Sequence, residues 1–141
     1  MLQIRDFCRH DFDDVLHVWA LTGMGGAQRG DNLAIVEQSI AMGGKLLVVE
    51  IEGKVIATSW MTFDGRRIHL HHFGVHPDYQ RQGIGLALAN QSLLFAKQKG
   101  YQIKLEVHKD NQKAINLYTK IGFTYLGDYN VYIIRRIEDL E

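Results

Sequence analysis

The stretch Val75-His76-Pro77-Asp78-Tyr79-Gln80-Arg81-Gln82-Gly83-Ile84-Gly85 decides how the chain is read, because it joins a strand-like run to a helix-like one. Pro77 has no amide hydrogen and biases His76 toward extended backbone, so strand pairing ends there. Downstream, Ile84, Ala87, Leu88, Gln91, Leu94 and Phe95 share one face of a helix over residues 84–98, closed by Lys99-Gly100. Gly83 and Gly85 remove side chains where first-turn N–H groups point outward, which lets a phosphate approach the positive end of the helix dipole. Arg81 adds a mobile positive charge. The same run also fits a glycine-rich turn before an ordinary helix. Other phosphate loops fail on residues: a dinucleotide fingerprint from Gly83 needs a small residue where Leu88 stands, and no Gly-Lys-Ser/Thr follows any glycine.

Outward from this junction the pattern is regular. Residues 46–51, 55–63 and 67–75 alternate or run apolar, separated by Glu52-Gly53-Lys54 and Asp64-Gly65, which predicts an antiparallel meander. Before it, residues 2–6 predict a first strand. Asp11 to Asp14 predict the start of a helix carrying Val15, Leu16, Val18 and Trp19, and Asp31 or Asn32 caps a second helix ending at Gly43-Gly44. Four glycines from Gly23 to Gly30 predict a mobile loop between those helices. After it, residues 103–108 predict a strand, 114–121 a short helix ending at Gly122, and 123–126 and 130–137 two last strands. The order β α α β β β α β α β β reads as one mixed α/β (α+β) domain over residues 1–141.

Composition narrows the function. Sixteen Lys and Arg balance sixteen Asp and Glu, so neither nucleic acid nor an anionic membrane is an expected partner. The single cysteine, Cys8, makes no internal disulfide and no cysteine-rich metal site, and no apolar run approaches ~20 residues. A complete, soluble, cytoplasmic chain is expected. The 46% hydrophobic content suits a core that needs no metal or disulfide.

A second run, Asn111-x-x-Ala114-x-x-Leu117-Tyr118-x-x-x-Gly122-Phe123, follows the first in order, one helix and one strand later. Together with Gln80-x-x-Gly83-x-Gly85 it resembles the GNAT superfamily of acyl-CoA-dependent N-acetyltransferases. The resemblance implies a mostly antiparallel sheet with splayed central strands and helices on both faces. It implies acetyl-CoA as co-substrate in the gap, with pantetheine against the backbone of Phe73, Gly74 and Val75. Gln80, Arg81, Gln82, Gly83, Ile84, Gly85 and Leu86 would surround the diphosphate, Asn111 would touch the pantetheine region or brace the gap, and Tyr118 would point its hydroxyl at the thioester sulfur. The implied reaction is direct attack of an amine on acetyl-CoA, with no covalent enzyme intermediate and no metal. Tyr118 also fits a half-buried helix tyrosine packed under the sheet.

His69, His71, His72 and His76 place four of the seven histidines within eight residues. Alternation puts His69 and His71 on the face of Phe73 and Val75, with His72 opposite. His69 or His71 is the candidate proton acceptor, since imidazole titrates near ~6.5; polar strand histidines are the plain alternative. No carboxylate or cysteine stands close enough in sequence to complete a metal site around them. The residues between Met24 and Asn32, with Tyr125, Tyr129 and Tyr132, are candidates for an amine-acceptor pocket. The expected function is N-acetyl transfer to a small-molecule or peptide amine by a monomer or homodimer; a non-catalytic acyl-CoA-binding regulator and a histidine-based metal protein are the rival readings.

Overall fold

In the computed structural model, which describes residues 1–25 and 29–141, five strands form one sheet in the order β1-β2-β3-β4-β5. They are β1 (Leu2–Asp6), β2 (Lys45–Ile51), β3 (Lys54–Phe63), β4 (Ile68–Val75) and β5 (Ile103–Leu105). The helices are α1 (Phe12–Leu21), α2 (Leu33–Ala41), α3 (Ile84–Lys99) and α4 (Gln112–Lys120). β1 through β4 pair antiparallel, as the meander predicts, and β5 returns parallel to β4 after the α3 crossover.

The two sheet faces carry separate cores. On one, Val15 and Trp19 of α1 and Val36 of α2 pack on Leu46, Val48, Val55 and Trp60. On the other, Ile84 and Leu88 of α3 and Tyr118 of α4 pack on Leu47, Val49, Ile56, Met61, Ile68 and Leu70. Each fully buried aliphatic side chain contributes roughly 1.5–3 kcal/mol, so these two layers hold the helices. Buried polar groups pair across them: Trp19 Nε1 donates to Thr58 Oγ1 at 2.9 Å, and the Ser59 and Ser92 hydroxyls meet at 2.7 Å. The second pair explains a small shift in α3. Its buried face runs through Ile84, Leu88, Ala89, Ser92 and Ala96, leaving the predicted Ala87, Gln91 and Leu94 exposed.

Capping departs from expectation in one place. Asn32 Oδ1 caps α2 by accepting the Ile35 N–H at 2.9 Å. Asp11, at the start of α1, instead takes a two-pronged bond from Arg5 at 2.8 and 2.9 Å and the Cys8 N–H at 2.8 Å. The expected loop from Gly23 to Gly30 falls partly outside the described residues, at Gly26, Ala27 and Gln28.

Two sequence expectations fail at the C-terminal side. β5 stops at Leu105 instead of reaching His108, and the described chain beyond Phe123 holds no strand, only a short 3₁₀ turn at Ile137–Asp139. Residues 124–141 are exposed throughout. Strand propensity at Tyr, Val and Ile is a fit to a pleated, half-buried surface, and within this chain the tail meets no such surface.

Candidate active site

The site begins where β4 outruns β5. Their parallel pairing ends at Leu70 with Leu105, while β4 continues to Val75. Past that point the His76 N–H donates to Ile56 O of β3 at 2.7 Å. Alternation then turns the N–H and C=O of Gly74 toward β3 as well, and those of Phe73 and Val75 into the gap. Gln80 Nε2 donates to Val75 O at 3.0 Å, consistent with that orientation. The open edge of β4 therefore presents the Phe73 amide and carbonyl and the Val75 amide.

The loop from β4 to α3 turns this edge into a cavity of about 410 Å³. Pro77 opens a 3₁₀ turn, and the His76 ring accepts the Asp78 N–H at 3.1 Å. Arg81 then adopts φ 64°, and Gly83, the residue before α3, adopts φ 80°. A left-handed non-glycine residue costs of order 1 kcal/mol or more and concentrates at functional turns. The two glycines differ in purpose. Gly83 is required by its backbone, since a Cβ there meets nothing within 4 Å; Gly85 sits in ordinary helix, where a Cβ finds only normal contact with Val75 and Leu117 at 3.8 and 3.9 Å. The first helical bond runs from the Ala87 N–H to Gly83 O, so the N–H groups of Ile84, Gly85 and Leu86 have no partner inside the helix. Three outward amides at a positive helix end suit an anion.

Tyr118 closes the cavity from α4. Its ring packs edge-on against Phe73 of β4 at 5.9 Å and against Phe123 at 5.7 Å. The helix ends in a Schellman turn, with Gly122 at φ 115° and the Phe123 N–H bonded to Tyr118 O at 2.9 Å. Gly122-Phe123 thus clamps the helix position that carries the phenol. Asn111 caps the other end, its Oδ1 accepting the Ala114 N–H at 3.2 Å. With Tyr118 9% exposed, burial pushes its phenol up to about 12. It stays a neutral hydrogen-bond donor at any physiological pH.

A strand edge, a helix N-terminus and a buried phenol thus converge on one cavity. The acetyltransferase (GNAT) family model matches residues 12–123, well over half of the chain. The chain belongs to this family. Like its members it is an acyltransferase, and solved GNAT structures share its fold. A GNAT-family acetyltransferase of Streptococcus pneumoniae superposes with a TM-score of 0.69 at 23% identity, over 95% of this chain and 96% of that one. The ribosomal-protein-S18-alanine N-acetyltransferase of Escherichia coli gives 0.75 at 24% identity, over 88% and 78%. The PaiA N-acetyltransferase of Thermoplasma acidophilum, solved in complex with coenzyme A, gives 0.73 at 20%, over 88% and 90%.

Of the residues singled out in the sequence, the cavity of this GNAT protein is lined by Phe73, Gly74, Val75, Gln80 and Arg81, and further in by Gly83, Gly85, Leu86, Asn111 and Tyr118. Gln82 and Ile84 do not line it, and Ile84 is buried in the core. Lys113 was missed. It reaches across from α4 to donate to Gln80 Oε1 at 3.1 Å, placing a second cation beside the loop. Its signal was its place two residues after the motif asparagine. Leu21 and Thr22 at the end of α1 also line the cavity, on a segment without a pattern to mark it.

The histidines lie elsewhere than alternation predicts. Two residues of β4, His71 and His72, stand opposite the single Trp60 of β3, because the register shifts between Ser59 and Met61. This bulge reverses the phase. His69, His71 and His72 consequently share the α1/α2 face, with His71 and His72 against Trp60 at 5.8 and 5.3 Å, while Phe73 and Val75 face α3 and α4. None of the three lines the cavity. His69 is held by Asp64 at 3.2 Å, His71 by the Thr62 hydroxyl at 2.7 Å, and His72 by Asp31 at 2.7 Å. Desolvation, then the neighbouring His69 and His72, lowers His71 to about 4. Among the described residues no cluster of three or more metal-ligating side chains occurs. Tyr125, Tyr129 and Tyr132 stand exposed on the tail, away from the cavity lining.

Proposed function

We propose that this protein transfers an acetyl group from acetyl-CoA to a primary amine of a small molecule or peptide, by direct attack within a ternary complex. The observation that carries the reading is the convergence of the free Phe73–Val75 edge, the unpaired amides of Ile84 to Leu86 and the Tyr118 phenol on one cavity. Pantetheine has an amide-rich arm that matches a strand edge, and a diphosphate matches a helix N-terminus flanked by Arg81 and Lys113.

The chemistry follows from the groups in place. A backbone amide on the free edge of β4 stabilises the oxyanion as the amine attacks. Tyr118 donates a hydrogen bond to the sulfur as negative charge gathers there. A thiol titrates near ~8.5, so complete proton transfer from a phenol raised to about 12 is uphill. The contribution of Tyr118 is therefore that hydrogen bond; the coenzyme leaves as thiolate and takes up from water the proton that the acetylated nitrogen releases.

For the amine's proton, His71 is better placed than His69, standing at the first residue past the paired stretch of β4. A ring lowered to about 4 is neutral at pH 7 but a weak acceptor. No carboxylate or imidazole lines the cavity among the described residues. The site therefore suits an amine that supplies its own free base. An α-amine near ~7.8 is unprotonated in about one molecule in seven at pH 7, against about one in 2,500 for a lysine-like amine near ~10.4. The test is a panel of α-amines and lysine-like amines incubated with acetyl-CoA, with products weighed by mass spectrometry. Acetylated α-amine is expected; tight acetyl-CoA binding without any acetylated amine would instead mark a regulator.

A further inference from the structure

Past the bulge opposite Trp60, His72 and Gly74 share the α1/α2 face of β4, one on each side of Phe73. The connection from α1 to α2 meets both of them. At Gly74 the approach is close: a Cβ there would stand 2.7 Å from the Met24 methyl and 3.2 Å from the Thr22 side chain. At His72 the contact is polar. The buried ring lies edge-on to Trp19 at 4.6 Å and to Trp60 at 5.3 Å, and its Nε2 meets Asp31 Oδ2 at 2.7 Å. An ionised carboxylate only accepts, so the His72 Nε2–H is the donor. Asp31 stands immediately before Asn32, the cap of α2. The backbone of His72 is tied to α1 as well: Thr58 Oγ1 accepts the Trp19 Nε1–H and donates to His72 O at 3.1 Å. One hydrogen-bonded chain thus runs from α1 through β3 and β4 to the start of α2.

Core packing already fixes the two helices, through Val15, Trp19 and Val36. A buried polar pair recovers little more than its desolvation cost, so its contribution lies in selecting one arrangement of the groups it joins. What it arranges is the residues beside it. Leu21 and Thr22 line the cavity from the α1/α2 side, whereas Tyr118 and the amides that open α3 reach it from the other face. A coenzyme on that second face leaves the first for the amine. We propose, resting on the acetyl-transfer reading above, that His72 and Asp31 are positioning residues for the acceptor: their hydrogen bond holds the α1–α2 connection against β4, so that Leu21 and Thr22 form the wall on which the amine is seated. Neither side chain lines the cavity, so both act through those neighbours.

The experiment compares full-length wild type, Asp31→Ala and Asp31→Asn by thiol release, with acetyl-CoA saturating and alanine amide, an α-amine, varied. Asp31→Ala should raise the KM for alanine amide ~10-fold while kcat stays within about 3-fold and acetyl-CoA affinity by calorimetry is unchanged. Asp31→Asn keeps an oxygen that accepts the His72 Nε2–H and should return KM to within about 2-fold of wild type. Wild-type KM in Asp31→Ala, or a rise that Asp31→Asn does not reverse, would overturn the role of the pair. A fall in kcat and melting temperature together with the KM change would mark a purely structural pair and overturn it too. Amine-dependent release absent from the wild type itself, with alanine amide and with every other amine of the panel, would instead overturn the acetyl-transfer reading and the acceptor role with it.

Discussion

Tyr118 is fixed by neighbours that the sequence already named, Phe73 in front and Gly122-Phe123 behind. Removing its hydroxyl leaves that packing in place. Tyr118→Phe is therefore expected to lower kcat by ~10²-fold with acetyl-CoA affinity unchanged, read by steady-state kinetics beside calorimetry; equal turnover would take Tyr118 out of the reaction. His71 makes a different prediction. Its folded value near 4 lies below the ~6.5 of an unfolded chain, so the unfolded state binds more protons between those values. Stability is thus full above pH 6.5 and declines as pH falls toward 4. Urea unfolding across that window should show the decline in the wild type and a weaker one in His71→Gln. The lowered Asp11 carboxyl, beside Arg5, adds a loss only at more acid pH, as it takes up a proton.

At the scale of elements, the loop before α3 and the end of α4 separate backbone need from space. Gly83→Ala places a side chain at φ 80° and should cost about 1–2 kcal/mol of stability, measured by denaturant unfolding, with coenzyme contacts otherwise spared. Gly85→Leu should do the reverse, folding well because a Cβ there has only ordinary contacts, while its side chain fills the approach to the helix end and abolishes acetyl-CoA binding by calorimetry. Unchanged affinity would detach the anion from this helix. This distinction was not legible in the sequence, where both glycines read as space. The five strands of the sheet and the four helices were legible because their apolar periods and turn residues agree. The histidine faces were not, since one extra residue opposite Trp60 reverses every side chain beyond it and no residue type announces the bulge.

For the molecule as a whole, the GNAT fold is encoded most clearly where backbone geometry constrains residue choice: Pro77 ending β4, Gly83 entering α3, and Gly122-Phe123 leaving α4. The coenzyme side of the site was legible for that reason. Leu21 and Thr22, which also line the cavity, were not, because they stand at a helix end where side-chain shape matters and no backbone rule applies. The tail shows the same limit: its strand-forming residues are plain, but in this structure they join no strand of the sheet. The proposed function rests on the cavity between β4, α3 and α4, and amine-dependent release of coenzyme A thiol, compared between wild type and Gly85→Leu, tests it most directly. The account predicts thiol release that rises with added amine in the wild type and falls to background in Gly85→Leu. Wild-type levels of amine-dependent release from the Gly85→Leu protein, or no amine-dependent release from the wild type, would contradict it.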